Sequence, residues 1–156
     1  MKKFTIAIAL LAMAGIVTSS VALDDAKKNP LDGVKCLMMP DKAVKEDKAV
    51  DYKEGKVYFC CPGCVKKFSE NKDKYEAKAN QQLVRTGQYK QEVCVFSGEK
   101  IDEKQSIEVG GTKVSFCCGN CKGKAEKMEG DKQVEELFGK NAFEKGKFTK
   151  VKTENK

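Results

Sequence analysis

Lys56-Val57-Tyr58-Phe59-Cys60-Cys61-Pro62-Gly63-Cys64 is the stretch on which the fold turns. Its first residues combine β-branched and aromatic side chains in a strand-like alternation. Pro62 suits the first turn of a helix, where its missing N–H costs nothing. A strand therefore runs into a helix, and cysteines occupy the join. Residues four apart at a helix start share a face, so Cys60 and Cys64 direct their sulfurs at one point. Unpaired N–H groups and the positive end of the helix macrodipole lie there too, and both favour thiolate over thiol.

The stretch occurs twice. Lys113-Val114-Ser115-Phe116 leads into Cys117-Cys118-Gly119-Asn120-Cys121. Each cluster has one more cysteine upstream: Cys36, followed by 23 residues before Cys60, and Cys94, followed by 22 before Cys117. Val34-Lys35-Cys36 and Glu92-Val93-Cys94 open the two units. All 8 cysteines of the chain fall into this four-plus-four pattern. A repeat of this length predicts two copies of one small supersecondary unit.

Each copy reads as a knuckle-like turn, a hairpin and a helix. The turns lie at Met39-Pro40 and at Ser97-Gly98. In the second unit, residues 106–109 and 112–116 alternate around Gly110-Gly111, a turn signal. In the first, residues 49–52 and 56–59 flank Lys53-Glu54-Gly55. Helices are expected over residues 65–79, with Val65, Phe68 and Tyr75 as an apolar stripe, and over residues 121–128, where Gly123 and Gly130 weaken the second one. Residues 133–138 read as a further short helix with Val134, Leu137 and Phe138 on one face. Phe59 and Phe116 are expected to pack beneath the clusters.

The organisation that follows is a secretory signal peptide over 1–22, an irregular segment over 23–33, a first unit over 34–79 and a connector over 80–91. A second unit covers 92–130, a short C-terminal helix 131–145 and a loose lysine-rich tail 146–156. The leader is expected from Lys2-Lys3, an uncharged apolar run over 4–17, and the small residues Ser20 and Ala22 before a cleavage point. That run is shorter than the roughly 20 residues a membrane span needs. Leu23 in place of a cysteine gives no sign of a lipid anchor. Removing residues 1–22 takes away two lysines and no acid, so the formal charge of +7 falls to +5. Cations and acids are interleaved, as in Lys42, Lys45, Glu46, Asp47 and Lys48, which describes a solvated surface. Arg85 is the only arginine, and there is no clustered basic face or aromatic platform, so nucleic acid is not an expected partner.

The candidate metal ligands are Cys36, Cys60, Cys61 and Cys64 in the first unit and Cys94, Cys117, Cys118 and Cys121 in the second, with Met39 as an additional candidate. Cys36-x-x-Met39 and Cys94-x-x-Ser97 have the spacing of a zinc knuckle whose second cysteine is replaced. A thioether suits a soft ion such as Cu(I), whereas a serine is a poor ligand. Which member of each vicinal pair ligates stays open at this level. A disulfide framework is the competing use of eight cysteines in an exported chain. Redox chemistry is a weaker alternative, since Cys61-Pro62-Gly63-Cys64 lacks a thioredoxin-like βαβ context.

The run Tyr58-Phe59-Cys60-Cys61-Pro62-Gly63-Cys64 followed by Lys66-Lys67-Phe68, with Cys36 upstream, resembles the YHS/TRASH group of heavy-metal-binding domains. Residues 92–128 resemble it through Cys94, Cys117 and Cys121, and Cys94-Val95-Phe96-Ser97-Gly98 is similar to that family's opening turn. Gaps of 23 and 22 residues sit at the long end of the family's range. The resemblance implies an α+β fold of two tandem treble-clef-like units and a role in metal trafficking, resistance or sensing. The expected function is that of an exported, periplasmic or secreted bacterial-type protein holding Zn or Cu(I), one ion per unit, as carrier, buffer or scavenger. Its expected partners are metal ions and another metal-handling protein. The alternative is a structural or interaction protein braced by closed zinc sites or disulfides. With no histidine in the chain, no acid–base or nucleophile constellation is present, and no enzymatic activity is expected.

Overall fold

In the first half, strand β1 (Lys45–Tyr52) returns as β2 (Gly55–Phe59) through a two-residue turn at Lys53-Glu54. Both turn residues lie in the left-handed region, with φ of 45° and 56°. This is the primed turn that matches the twist of a hairpin. The computed structural model describes residues 29–152. The expected leader over 1–22 lies outside the described residues, as do residues 23–28 and 153–156. Helix α1 (Pro62–Glu70) starts at Pro62 and ends at Asn71. A 3-10 turn over Asp73–Tyr75 re-aims the chain, and α2 (Glu76–Arg85) follows. The single helix expected over 65–79 is thus two helices. Half of the connector over 80–91 is the C-terminal part of α2, which buries Asn80, Gln82 and Leu83. The short strand β3 (Tyr89–Lys90) completes the link.

The second half repeats the order. Strands β4 (Asp102–Val109) and β5 (Thr112–Phe116) are joined by Gly110-Gly111, with φ of 54° and 76°. The two hairpins share a register. Lys45 pairs with Phe59 and Asp102 with Phe116, and each hairpin has its irregularity just after that pair. Helix α3 (Gly119–Glu126) follows the second cysteine cluster. The region expected as one short helix over 131–145 is α4 (Gly130–Phe138) and α5 (Lys140–Lys145), broken at Gly139. A Cβ at Gly139 would stand 2.4 Å from the Glu135 carbonyl oxygen, so only glycine fits that corner.

Residues 146–150 are not a loose tail. Phe148 is buried and stacks on Phe143 with ring centroids 4.6 Å apart. Strand β6 (Thr149–Lys150) pairs antiparallel with β3. The described residues therefore form an α+β fold with three two-stranded antiparallel sheets. Two cores result. One gathers Val57, Phe59, Phe68, Ala79 and Leu83 around the first cysteines. The other gathers Val114, Phe116, Leu137, Phe138, Phe143 and Phe148 around Cys94. Helix α2 packs against β2 on one side and against β5 and α4 on the other, which joins the halves. Among the described residues, no helix is long and apolar enough to cross a membrane.

Candidate metal centres

Three separate elements deliver each cluster. A knuckle brings the first cysteine: Lys35 bridges to Ala43, and the Cys36 N–H donates to Lys42 O at 2.9 Å. In the second half, Val93 bridges to Lys100, the Cys94 N–H donates to Glu99 O at 2.8 Å, and the Gly98 N–H donates to Cys94 O at 2.8 Å. The end of the hairpin brings Cys60 or Cys117. The helix brings Cys64 or Cys121 after the chain bends at an extended residue, Cys61 (φ −155°) or Cys118 (φ −160°). Phe59 and Phe116 lie fully buried beneath the join. In the second half Phe96 stacks on Phe116 at 5.7 Å, and Lys124 Nζ lies 4.4 Å from the Phe96 ring centroid.

The ligand sulfurs of Cys36, Cys60 and Cys64 all lie within 4.8 Å of one another, and those of Cys94, Cys117 and Cys121 do the same. Cys60 and Cys64 stand 3.8 Å apart, and Cys117 and Cys121 3.7 Å apart. A tetrahedral ion with metal–sulfur bonds of about 2.3 Å sets its sulfurs about 3.8 Å apart. Thiols in simple contact also meet near that separation, so the stronger argument is convergence of three sulfurs from two distant chain segments, once in each half. Either triad could hold a metal ion. All eight cysteines are free thiols.

The vicinal cysteines flank the triads. Cys61 Sγ lies 3.3 Å from Cys64 Sγ, and Cys118 Sγ 3.7 Å from Cys117 Sγ. Met39 Sδ stands 3.7 Å from Cys60 Sγ. Ser97 Oγ takes the matching place in the second half, 3.2 Å from Cys117 Sγ, and it also accepts the Glu99 N–H at 3.1 Å.

Within each triad the thiols are unequal. Burial raises Cys94, but the Ser97 hydroxyl and the backbone of Cys117, Ser97 and Phe96 outweigh it and bring the thiol down to about 6. Cys121 is pushed up to about 12 by burial and then by its Cys117 and Cys94 neighbours. The Ser97 hydroxyl lowers Cys117, yet burial and the sulfurs of Cys118 and Cys94 leave it above the ordinary thiol value. The first triad has the same pattern. Burial opposes ionisation of Cys36, but the backbone of Met38, Cys60 and Met39 holds it low. Cys60 and Cys64 are raised, chiefly by burial. Clustered thiols cannot all ionise beside one another without a cation. A bound ion supplies that charge and displaces the protons.

Cys61 and Cys118 are held low, first by the backbone of Cys64 and Cys121 respectively, at the helix starts. The side chains that fix the hairpins carry no signal in the sequence reading. Gln82 grips both backbone groups of Tyr58, through Oε1 at 2.6 Å and Nε2 at 3.1 Å. Gln91 does the same at Ser115, at 3.0 and 2.8 Å. Tyr58 and Ser115 occupy equivalent places, two residues before Cys60 and Cys117. A glutamine in a polar stretch carries no sequence signal for such a grip. The lysines near the sulfurs are turned to other work: Lys66 pairs with Glu70 at 3.9 Å and Lys122 with Glu126 at 3.8 Å. Comparisons of the chain with family models, with curated proteins and with solved structures return no match.

Proposed function

We propose that this chain is an exported, non-catalytic metal-binding protein that holds thiophilic ions, Zn(II) or Cu(I), one in each half, as a carrier, buffer or scavenger in the periplasm or outside the cell. The observation that carries the reading is the triple convergence of thiols at Cys36, Cys60 and Cys64 and again at Cys94, Cys117 and Cys121. Soft thiolate donors favour Zn(II) and Cu(I) over hard cations. Three thiolates with a weak fourth partner suit an ion that is to be passed on. The order of knuckle, hairpin and helix in each half supports membership in the YHS/TRASH group with a treble-clef-like unit. The apolar run ahead of Ala22 supports export. The absence of histidine from the whole chain supports a non-catalytic role.

The test is metal content and thiol count after anaerobic purification of the chain. One ion per half and eight titratable thiols are expected, with Cys64→Ser and Cys121→Ser each removing one ion. A chain without metal affinity and without free thiols would overturn the reading in favour of a disulfide framework.

One observation favours a structural role instead. Cys36, Cys60 and Cys64 are all buried members of the first hydrophobic core. A structural ion contributes folding energy outright, so a chelator would then unfold the chain. Under the carrier reading the fold survives chelation, and circular dichroism before and after metal removal separates the two.

A further inference from the structure

The two centres are built on one plan but differ in two respects. The first respect is the residue three positions after the knuckle cysteine. In the first half it is Met39, whose Sδ lies 3.7 Å from Cys60 Sγ. In the second it is Ser97, whose Oγ lies 3.2 Å from Cys117 Sγ and is fixed by the Glu99 N–H. The second respect is cover. Cys36, Cys60 and Cys64 are 2%, 8% and 5% exposed. In the second triad Cys94 is buried too, but Cys117 and Cys121 are half-buried.

A thioether is a soft neutral donor with affinity for monovalent d10 ions; a hydroxyl is a hard neutral donor with little. Each place adjoins the hairpin cysteine of its triad, so the neutral side-chain donor beside the triad is a thioether sulfur in one centre and a hydroxyl oxygen in the other, while a vicinal thiol, Cys61 or Cys118, flanks both alike. We propose that the two centres divide their cargo: the Met39 centre takes a monovalent soft ion of the Cu(I) and Ag(I) class, and the Ser97 centre takes a divalent ion of the Zn(II) class. This rests on the metal-binding reading above and adds to it a preference for each half.

Charge does not oppose the division. A divalent ion on three thiolates leaves a net charge of −1. A monovalent ion on two thiolates and the thioether, with the third cysteine protonated and not ligating, leaves the same −1. Burial of the first centre therefore penalises the two loadings alike, and the softness of the neutral donor decides. The half-buried second centre leaves room for water or an incoming ligand beside Ser97, as an exchangeable zinc site requires.

The experiment uses the reduced, 15N-labelled full chain without oxygen, with Ag(I) as the probe for the monovalent class and Zn(II) for the divalent. One equivalent of each is added together, and backbone amide shifts report which centre each ion enters. Native mass spectrometry counts the ions. Ag(I) is expected to move the amides of Cys36, Met39, Cys60 and Cys64, and Zn(II) those of Cys94, Ser97, Cys117 and Cys121. Met39 and Ser97 are both exposed, so Met39→Ser and Ser97→Met test the donor without risk to the core. Met39→Ser is expected to lower Ag(I) preference at the first centre by at least about tenfold, and Ser97→Met to raise it at the second by a similar factor, the step typical of losing or gaining a metal partner. Equal partition of Ag(I) between the halves, unchanged by either variant, overturns the division and leaves metal binding standing. Failure of both halves to take either ion overturns the division and the metal-binding reading together.

Discussion

At the scale of single residues, position relative to the helix start separates reactive thiols from inert ones. Cys118 is exposed and its thiol is held low by the backbone of Cys121, then by the Cys117 sulfur. Thiolate character and access together set the rate of alkylation. In the metal-free, reduced chain, iodoacetamide at neutral pH is therefore expected to modify Cys118 first, ahead of the buried Cys36, Cys60, Cys64 and Cys94. Peptide mapping after a short pulse reads the order, and early labelling of Cys94 would contradict it. Cys94 has a thiol near 6 but no exposure, so it stays ionised and unreachable.

The same inequality fixes how loading responds to pH. At pH 7 Cys94 is mostly thiolate, while Cys117 and Cys121 hold their protons. Binding an ion to all three thiolates must then release about two protons at the second centre. Affinity is expected to rise with pH across the neutral range and to weaken further as pH falls through about 6, where Cys94 itself takes up a proton. Calorimetric titration in buffers of different ionisation enthalpy measures the release directly. Affinity independent of pH would show that the three thiols do not ligate together.

At the scale of elements, each hairpin has only two strands, and β2 and β5 would expose an unpaired edge. Glutamines close it. Gln82 grips Tyr58, and Gln88 grips Lys56 through Oε1 at 2.6 Å and Nε2 at 2.8 Å. Their surroundings differ: Gln82 is buried, whereas the Gln88 bonds are exposed to water. Gln82→Leu is expected to cost about 2 kcal/mol, because it strands backbone groups away from solvent. Gln88→Leu is expected to cost less than about 1 kcal/mol, since water replaces the lost partner. Denaturant midpoints of the two variants check the contrast, and equal losses would refute it.

These elements also show what the sequence made legible. Both hairpins were readable because strand alternation is a local signal, reinforced by Gly110-Gly111 in the second; in the first, Gly55 proved to be the first residue of β2 and not part of the turn. The join at Cys60-Cys61-Pro62 was readable because proline and cysteine spacing are local as well. The break at Asn71 was overlooked, because the apolar stripe of Val65, Phe68 and Tyr75 suggests one continuous helix, while Ser69, Asn71 and Asp73, which favour caps and turns, mark where it stops. Nor was burial in α2 legible. Asn80-Gln81-Gln82 looks like a polar linker until its amides are seen to satisfy the backbone of Phe138, Val109 and Tyr58.

At the scale of the whole molecule, α2 determines whether there are two proteins in the chain or one. Ala79 and Leu83 belong to the first core, while Val84 packs against the second. Between them, the fully buried Asn80 donates Nδ2–H to Phe138 O at 2.8 Å, and Gln81 donates to Val109 O at 2.8 Å. The far end is tied back too, since β6 pairs with β3 and Phe148 closes the second core. A charged, lysine-rich segment hid that role, because one buried phenylalanine among lysines leaves no periodicity to read. With a shared helix and buried amide bonds, neither core can lose α2 and stay intact. Thermal unfolding of the metal-free chain is therefore expected to be a single cooperative transition. An ion that binds only the folded state shifts that transition upward, so loading one centre is expected to protect amides in both halves from hydrogen exchange. Asn80→Leu, which removes the donor to Phe138 O while keeping the bulk, is expected to split the melt into two steps or to confine the protection to the loaded half. Two resolved transitions in the unmodified chain would show that the halves fold independently and that α2 is a tether and not a shared wall.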